Sequence, residues 1–422
     1  MGIKINKLTL LFSLLIFAIA NASLRFSSDG MTSLFRLLSP PVVFLIYVHK
    51  ETRLTKSVLI MLSGILYSIF VSWINYGTIK VDYLFFATYT FFVFVIVFEI
   101  RESVCNFEDY FWKFLHITTV ITLILSLIQF FVRIPYPYVH LPSHRGVNLF
   151  MSNENELALP LGIMSLLYLY RFLFKGYKQG ILWVAAILAL IYINDAKLTL
   201  IGCLLGYAVL FLLKITRHKI SASVLIVTLS IIAALALAYF YLLNPTVTFR
   251  DYSIDMKELV FSSIEYILKL EPMPGAGGST IDRTNAIVFG LKELINSRFL
   301  GIGWGNSVTM LEMPQYQLLT AKSMHNIIFQ FLCEMGLFAV GVYLVIIKNL
   351  IRSIRNLNND TNCILKFAFI VAFFVMSAQS SLGILSNYYM WIIVFYIAFL
   401  SNGNNVESVQ TLTVPNKLHV SE

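Results

Sequence analysis

Stretches of about twenty apolar residues recur along the whole chain, and a stretch of that length suits a membrane-crossing helix better than any element of a water-soluble domain. Twelve can be marked: 8–23, 32–48, 57–75, 81–99, 111–132, 156–174, 180–195, 197–214, 221–243, 325–347, 363–380 and 386–400. The least apolar is 32–48, which contains Arg36 and Pro40-Pro41. Charged residues make up only 13% of the chain, against roughly 25% in soluble domains. The expected fold is an all-α integral membrane protein of about 12 transmembrane helices, with residues 1–422 forming one polytopic domain.

The net charge of +9 invites a nucleic-acid reading, but its distribution argues against one. Lysines and arginines gather in alternate connections: Lys4 and Lys7; Lys50, Arg53 and Lys56; Arg171, Lys175 and Lys178; Lys214, Arg217 and Lys219; Lys348, Arg352, Arg355 and Lys366. The intervening connections hold few, namely Arg25, Lys80, Arg133, Arg145 and Lys197. This bias follows the positive-inside rule. It predicts cytoplasmic termini and puts segments 133–155 and 244–324 on the opposite side. The start, MGIKINKLTLLFSLLIFAIANAS, has the layout of a signal peptide, yet with so many spans following it is read as an uncleaved first helix. The four cysteines fall outside the predicted external segments, and neither they nor the seven histidines show a metal-binding spacing.

The long connection 244–324 stands apart, because long loops in compact domains are usually functional. Its first part, DYSIDMKELVFSSIEYILKL, has helical periodicity and is expected to form an amphipathic helix at the membrane interface, or one packed on the rest of the loop. EPMPGAGGST breaks the pattern. A second helix is expected over IDRTNAIVFGLKELINS, ending in RFLGIGWGNS, where Gly301, Gly303 and Gly305 permit tight turns and close approach. In 132–160, prolines and Ser/Asn clusters exclude a continuous helix before about residue 154.

His325 lies where a polar run meets a span. With Ser323 as helix cap, it would occupy the first turn, where free N–H groups favour a neutral imidazole and attract phosphate. A structural interfacial histidine is the alternative. Glu334 is nine residues on, so it faces away from His325 and about 13 Å along the helix; it is expected to serve either a buried ion pair or catalysis. Arg145, Lys197, Arg250, Arg283 and Arg298 supply cations on the same side, with Asp195 a ready partner for Lys197. Guanidinium groups match phosphate oxygens bidentately. Nucleotide-binding glycine loops, GxSxG and cytoplasmic DxD pairs are absent from the sequence.

Four stretches, taken in order, resemble the bacterial O-antigen polymerase and O-antigen ligase superfamily of membrane glycosyltransferases. HRGVNLFMSNENELA is similar to its Arg-Gly-aromatic-Asn segment, and INDAKLTLIG to the cation-led helix start. DRTNAIVFGLKELINSRFLGIGWGNS is similar to its Arg-led helix with a Gly-x-Gly end, and SMHNIIFQFLCEMGLFAVG to its His-Asn-led span. The resemblance implies attack by a sugar hydroxyl on a polyprenyl-pyrophosphate-linked glycan at the periplasmic face of the inner membrane. It implies His325 as base or acceptor-orienting group, with Arg145, Arg283, Lys197 and Asn326 as pyrophosphate or substrate ligands. No metal or other cofactor is called for. The implied partners are the lipid-linked oligosaccharide, the membrane, a chain-length regulator and a flippase, with no nucleic acid. Gly336 fits the ligase Gly-x-x-Gly pattern, but Ala339 replaces its second glycine, and Lys197 replaces the more usual arginine. A polymerase is the preferred reading, with a ligase, or a lipid-linked oligosaccharide flippase from another class, as alternatives.

Overall fold

Helices follow the apolar stretches. The computed structural model describes residues 7–20, 34–49, 56–77, 79, 107–133, 146–149, 154–216, 246–249, 252–255, 261–274, 279–314, 316, 324–357, 360–379 and 388–400. Ten of the twelve predicted stretches coincide with described helices, and 81–99 and 221–243 lie outside the described residues. The helices are α1 (Lys7–Ala20), α2 (Leu34–His49), α3 (Lys56–Tyr76), α4 (Phe107–Val132), α5 (Glu154–Lys175), α6 (Gly180–Ile193) and α7 (Lys197–Ile215), followed by α8 (Ser263–Lys269), α9 (Ser279–Asn296), α10 (Asn306–Leu311), α11 (Ile327–Arg355), α12 (Thr361–Met376) and α13 (Tyr388–Phe399). Among the described residues, four stretches are long and apolar enough to cross a membrane: Glu108–Val132, Glu154–Lys175, Lys197–Ile215 and Ile327–Arg355. Shorter apolar helices stand at Leu37–Ile46, Leu62–Tyr76, Gly180–Ile193 and Thr361–Met376. A set of twelve spans is therefore not reached among the described residues. The chain is a membrane protein by its apolar helices.

Local sequence explains most boundaries. Helix α5 starts at Glu154, as the Pro- and Asn-rich run before it requires, and two acids in its first turn complement the positive end of the helix. Asp360 caps α12 by accepting from the Asn362 N–H. Helix α2 runs through Pro40 and Pro41.

One expectation is overturned in the 244–324 segment. Tyr252–Asp255, expected in an amphipathic helix, forms a strand instead; it pairs antiparallel with Thr246–Phe249, Phe249 opposite Tyr252. Residues 256–260 lie outside the described residues, and beyond them α8 is a described helix seven residues long. It packs on α9, with Thr284 Oγ1 donating to Ser263 Oγ, while Ile264 and Leu268 stay exposed. The reason is physical: a pairing partner just upstream satisfies the backbone of 252–255 at lower cost than a helix start would, whatever the side-chain period.

The main core is built on α5, α7 and α12. Glycines at positions 202 and 206 of α7 form a small-xxx-small pair that lets α12 approach closely. A methyl at Gly202 would come within 2.8 Å of the Ala372 carbonyl oxygen, and one at Gly206 within 3.1 Å of Ala372 Cβ. The polar atoms between these helices are paired: Tyr207 donates to Ser165 Oγ at 2.6 Å, and Ser165 to the Gly162 carbonyl. Cys203, Cys333 and Cys363 are free and buried.

Candidate active site

The site is organised by α11, which is not one straight helix. At Gly336 the backbone takes φ 48° and ψ −126°, a region open only to glycine. The break splits α11 into 327–335 and 337–355. In a straight helix residues 328 and 343 would stand about 22 Å apart along the axis, yet the Tyr343 hydroxyl donates to the Ile328 carbonyl at 2.6 Å. The Phe331 and Tyr343 rings also meet, 5.9 Å between centroids. The first half is therefore folded back on the second through an acute angle. The second half is about 28 Å long, enough on its own to cross the apolar core.

The turn after α9 holds the break in place. Carbonyls freed by the missing helical bonds accept from it: Ile302 N–H reaches Cys333 O at 3.1 Å and Gly303 N–H reaches Glu334 O at 2.8 Å. In return, Leu337 N–H donates to Phe299 O at 3.0 Å. The expected glycines have the expected use, with φ of 88°, 86° and 80° at Gly301, Gly303 and Gly305. Helix α3 grips the other side of the turn. Tyr67 donates to Leu300 O (2.7 Å), Asn75 to Gly301 O (2.5 Å), and Ser68 Oγ accepts from Trp304 N–H (2.9 Å). Asn306 Nδ2 donates to Ser72 Oγ at 3.2 Å. Irregular backbone beside membrane helices is tolerated where protein groups satisfy it in this way.

Glu334 sits buried at the junction. Its carboxylate accepts from Ser307 Oγ at 2.5 Å and Gln330 Nε2 at 3.1 Å, and from the N–H groups of Gly305 and Ser307. Among the described residues its partners are hydrogen-bond donors. It caps the start of α10 and ties that turn to α11.

His325 precedes the helix. Asn326 is the cap, its Oδ1 accepting from the Ile328 and Phe329 N–H groups, both at 3.1 Å. This corrects the expectation of a first-turn histidine under a Ser323 cap; Ser323 itself lies outside the described residues. An asparagine adjacent to the helix start competes well for the cap, and its extended backbone forces the preceding residue to turn. His325 has φ 46°, uncommon for a non-glycine residue and a mark of functional positions. Asn326, expected to touch substrate, has its side-chain oxygen committed to the cap. Next door, Ile327 is buried in the main core, so the histidine is anchored to the bundle.

The His325 Nδ1 is buried and without a hydrogen-bond partner among the described residues. Burial, and then the positive charge of Arg283, push its pKa down to about 4. The imidazole is thus neutral at pH 7. Arg283, in the first part of α9, is half-buried; burial lowers its pKa, but a guanidinium stays charged at neutral pH. Its helix is fixed by Asn285, whose side chain accepts from Met273 N–H at 2.6 Å and donates to Met273 O at 3.2 Å. Arg283 is thus near enough for its charge to act on the His325 imidazole. Lys197, at the start of α7, is paired with Asp195 at 3.4 Å. Arg145 lies outside the described residues, but the segment that follows it is gripped from two sides. Arg133 Nη1 donates to Gly146 O, Gln129 Oε1 accepts from Asn148 and Leu149 N–H, and Asn194 binds both Val147 N–H and Val147 O at 2.8 Å.

Sequence reasoning missed three groups: the α3 polar residues, Tyr343, and the Gln129–Asn194 pair. For the first a signal was present. Ser68, Ser72 and Asn75 fall at i, i+4 and i+7 in an otherwise apolar stretch, one helix face directed at protein rather than lipid.

Broken helices, a folded-back half-helix and a buried imidazole beside a guanidinium define a helical membrane protein with a site suited to an anionic ligand. Residues 180–344 match the family model described as O-antigen ligase. That segment, which holds Lys197, Arg283 and His325, is thus similar to the O-antigen ligase family. No curated protein matches the chain.

Proposed function

We propose that the protein is an O-antigen polymerase, joining polyprenyl-pyrophosphate-linked repeat units at the periplasmic face of the bacterial inner membrane. The observation that carries this reading is the neutral His325 imidazole standing beside the Arg283 guanidinium, in a segment that matches the O-antigen ligase family. The charge bias along the chain supports a periplasmic site and cytoplasmic termini.

In this reading an acceptor sugar hydroxyl attacks the anomeric carbon of the donor glycan. The new C–O bond forms as the bond to the pyrophosphate oxygen breaks, and the polyprenyl pyrophosphate leaves with the electron pair. Arg283, assisted by Arg145, stabilises the charge developing on that leaving group. His325 takes the acceptor's proton. A pKa of about 4 makes the empty site a weak base. A diphosphate placed against Arg283 offsets the cation, which raises the imidazole pKa toward working pH when substrate is bound. Base and substrate are thereby coupled through one arginine.

His325→Ala is expected to leave the protein inserted in the membrane and to abolish long-chain glycan, read as loss of the ladder on a gel. A normal ladder would overturn the catalytic role. A ligase is the second reading, favoured by the description of the matched family. Gene deletion separates the two: loss of a polymerase leaves core carrying one repeat unit, loss of a ligase leaves bare core, and loss of a flippase traps lipid-linked units on the cytoplasmic side.

A further inference from the structure

The position of His325 depends on an angle between two half-helices, and one hydroxyl bridges that angle. We infer that Tyr343 is a positioning residue for the reaction: its hydrogen bond to Ile328 O sets where the 327–335 half-helix, and hence His325, stands. This rests on the reading of His325 as catalytic. The arms from the break to residues 328 and 343 are about 12 and 10 Å long, so the bond acts as a strut across the open side of the angle. At the vertex, Glu334 and the 299–306 turn fix the hinge by the hydrogen bonds described above. Along the first arm, Asn326 O accepts from Gln330 N–H, and the Gln330 side chain runs back to Glu334. His325 is therefore tied to the vertex by a continuous set of bonds and to the second half-helix by Tyr343.

Two features separate a strut from ordinary packing. The Ile328 carbonyl lies in the first turn, two residues after the cap, so a shift there moves His325 almost one for one. The bond also spans fifteen positions of what hydropathy reads as one helix, which only a fold-back allows. Tyr343 does not touch the reacting groups; its effect must come through geometry.

Tyr343→Phe keeps the ring and removes the hydroxyl. With purified protein reconstituted in lipid and a lipid-linked glycan donor, kcat is expected to fall about fivefold or more, because small misplacements of a reacting group are costly. KM should stay within about twofold, since the Arg283 contacts are untouched, and the thermal midpoint should hold within a few degrees. Glu334→Gln, which puts a donor among donors, should lower kcat in the same way, with more loss of stability. An unchanged kcat in Tyr343→Phe overturns the positioning role, and so does equal loss in kcat and folded fraction. His325→Ala is assayed alongside. Full activity there would remove the underlying reading, whereas loss in His325→Ala with normal Tyr343→Phe removes only the strut.

Discussion

The α5–α7–α12 bundle and the α3–α9–α11 region solve the same problem in different ways. In the bundle the helices run without a break like that at Gly336, and they associate by small residues and a few polar side chains. Around α11 the helix is interrupted, and its freed carbonyls are satisfied by a glycine-rich turn, with polar residues of α3 holding that turn from behind. The first arrangement gives a rigid frame. The second places an imidazole and a guanidinium at positions that continuous helices do not provide. Regular packing builds the frame here, and irregular backbone builds the candidate site.

The two regions should respond differently to one added methyl. At Gly336 the new Cβ would meet backbone, Phe299 O at 2.3 Å and Leu300 C at 2.4 Å, and φ is positive. Gly336→Ala is expected to cost about 3 kcal/mol or more, read as loss of monodisperse protein in detergent; a variant as stable as the parent would contradict the fixed break. At Gly206 the nearest atom is the tip of Leu166, at 2.5 Å, and a side-chain tip can move. Gly206→Ala should cost only about 1–2 kcal/mol, measured by thermal unfolding, with activity retained.

The smallest expected effect sharpens the electrostatic side of the site. Burial is the larger cause of the low His325 pKa and Arg283 the smaller. Arg283→Gln should therefore raise the imidazole pKa, yet leave it below the usual histidine value, as read by NMR titration of labelled histidine. The sign carries over to stability. A histidine whose pKa is lowered by folding is neutral in the native state while the unfolded chain takes up a proton. Its contribution is thus favourable above the unfolded value and is lost as pH falls from about 6.5 toward about 4. Arg283→Gln should narrow that window.

Much of the frame was legible in the sequence because hydropathy reports the environment directly. The start of α5 after the Pro/Asn run, the helix over 281–296 and the turning role of Gly301, Gly303 and Gly305 follow from local chemistry. The fold-back of α11 does not. QFLCEMGLFAVG is apolar on both sides of Gly336, so hydropathy sees one span, and the turn direction is set by partners some thirty positions away at Phe299 and Ile302. Strand Tyr252–Asp255 escaped for a different reason: its side-chain period is helical, and the hairpin with Thr246–Phe249 overrides that period. The family resemblance named His325 and Arg283 as site residues, without setting one against the other. The cap at Asn326 and the strut at Tyr343 required the structure.

The central claim is that α11 doubles back at Gly336 to carry His325 to Arg283. Nitroxide labels on cysteines at positions 329 and 351, measured by double electron–electron resonance in lipid, test it without any activity assay. A folded-back helix predicts a separation near 20 Å, and a straight one near 33 Å, from helical rise. A narrow distribution at the shorter distance supports the account; a peak at the longer one contradicts it.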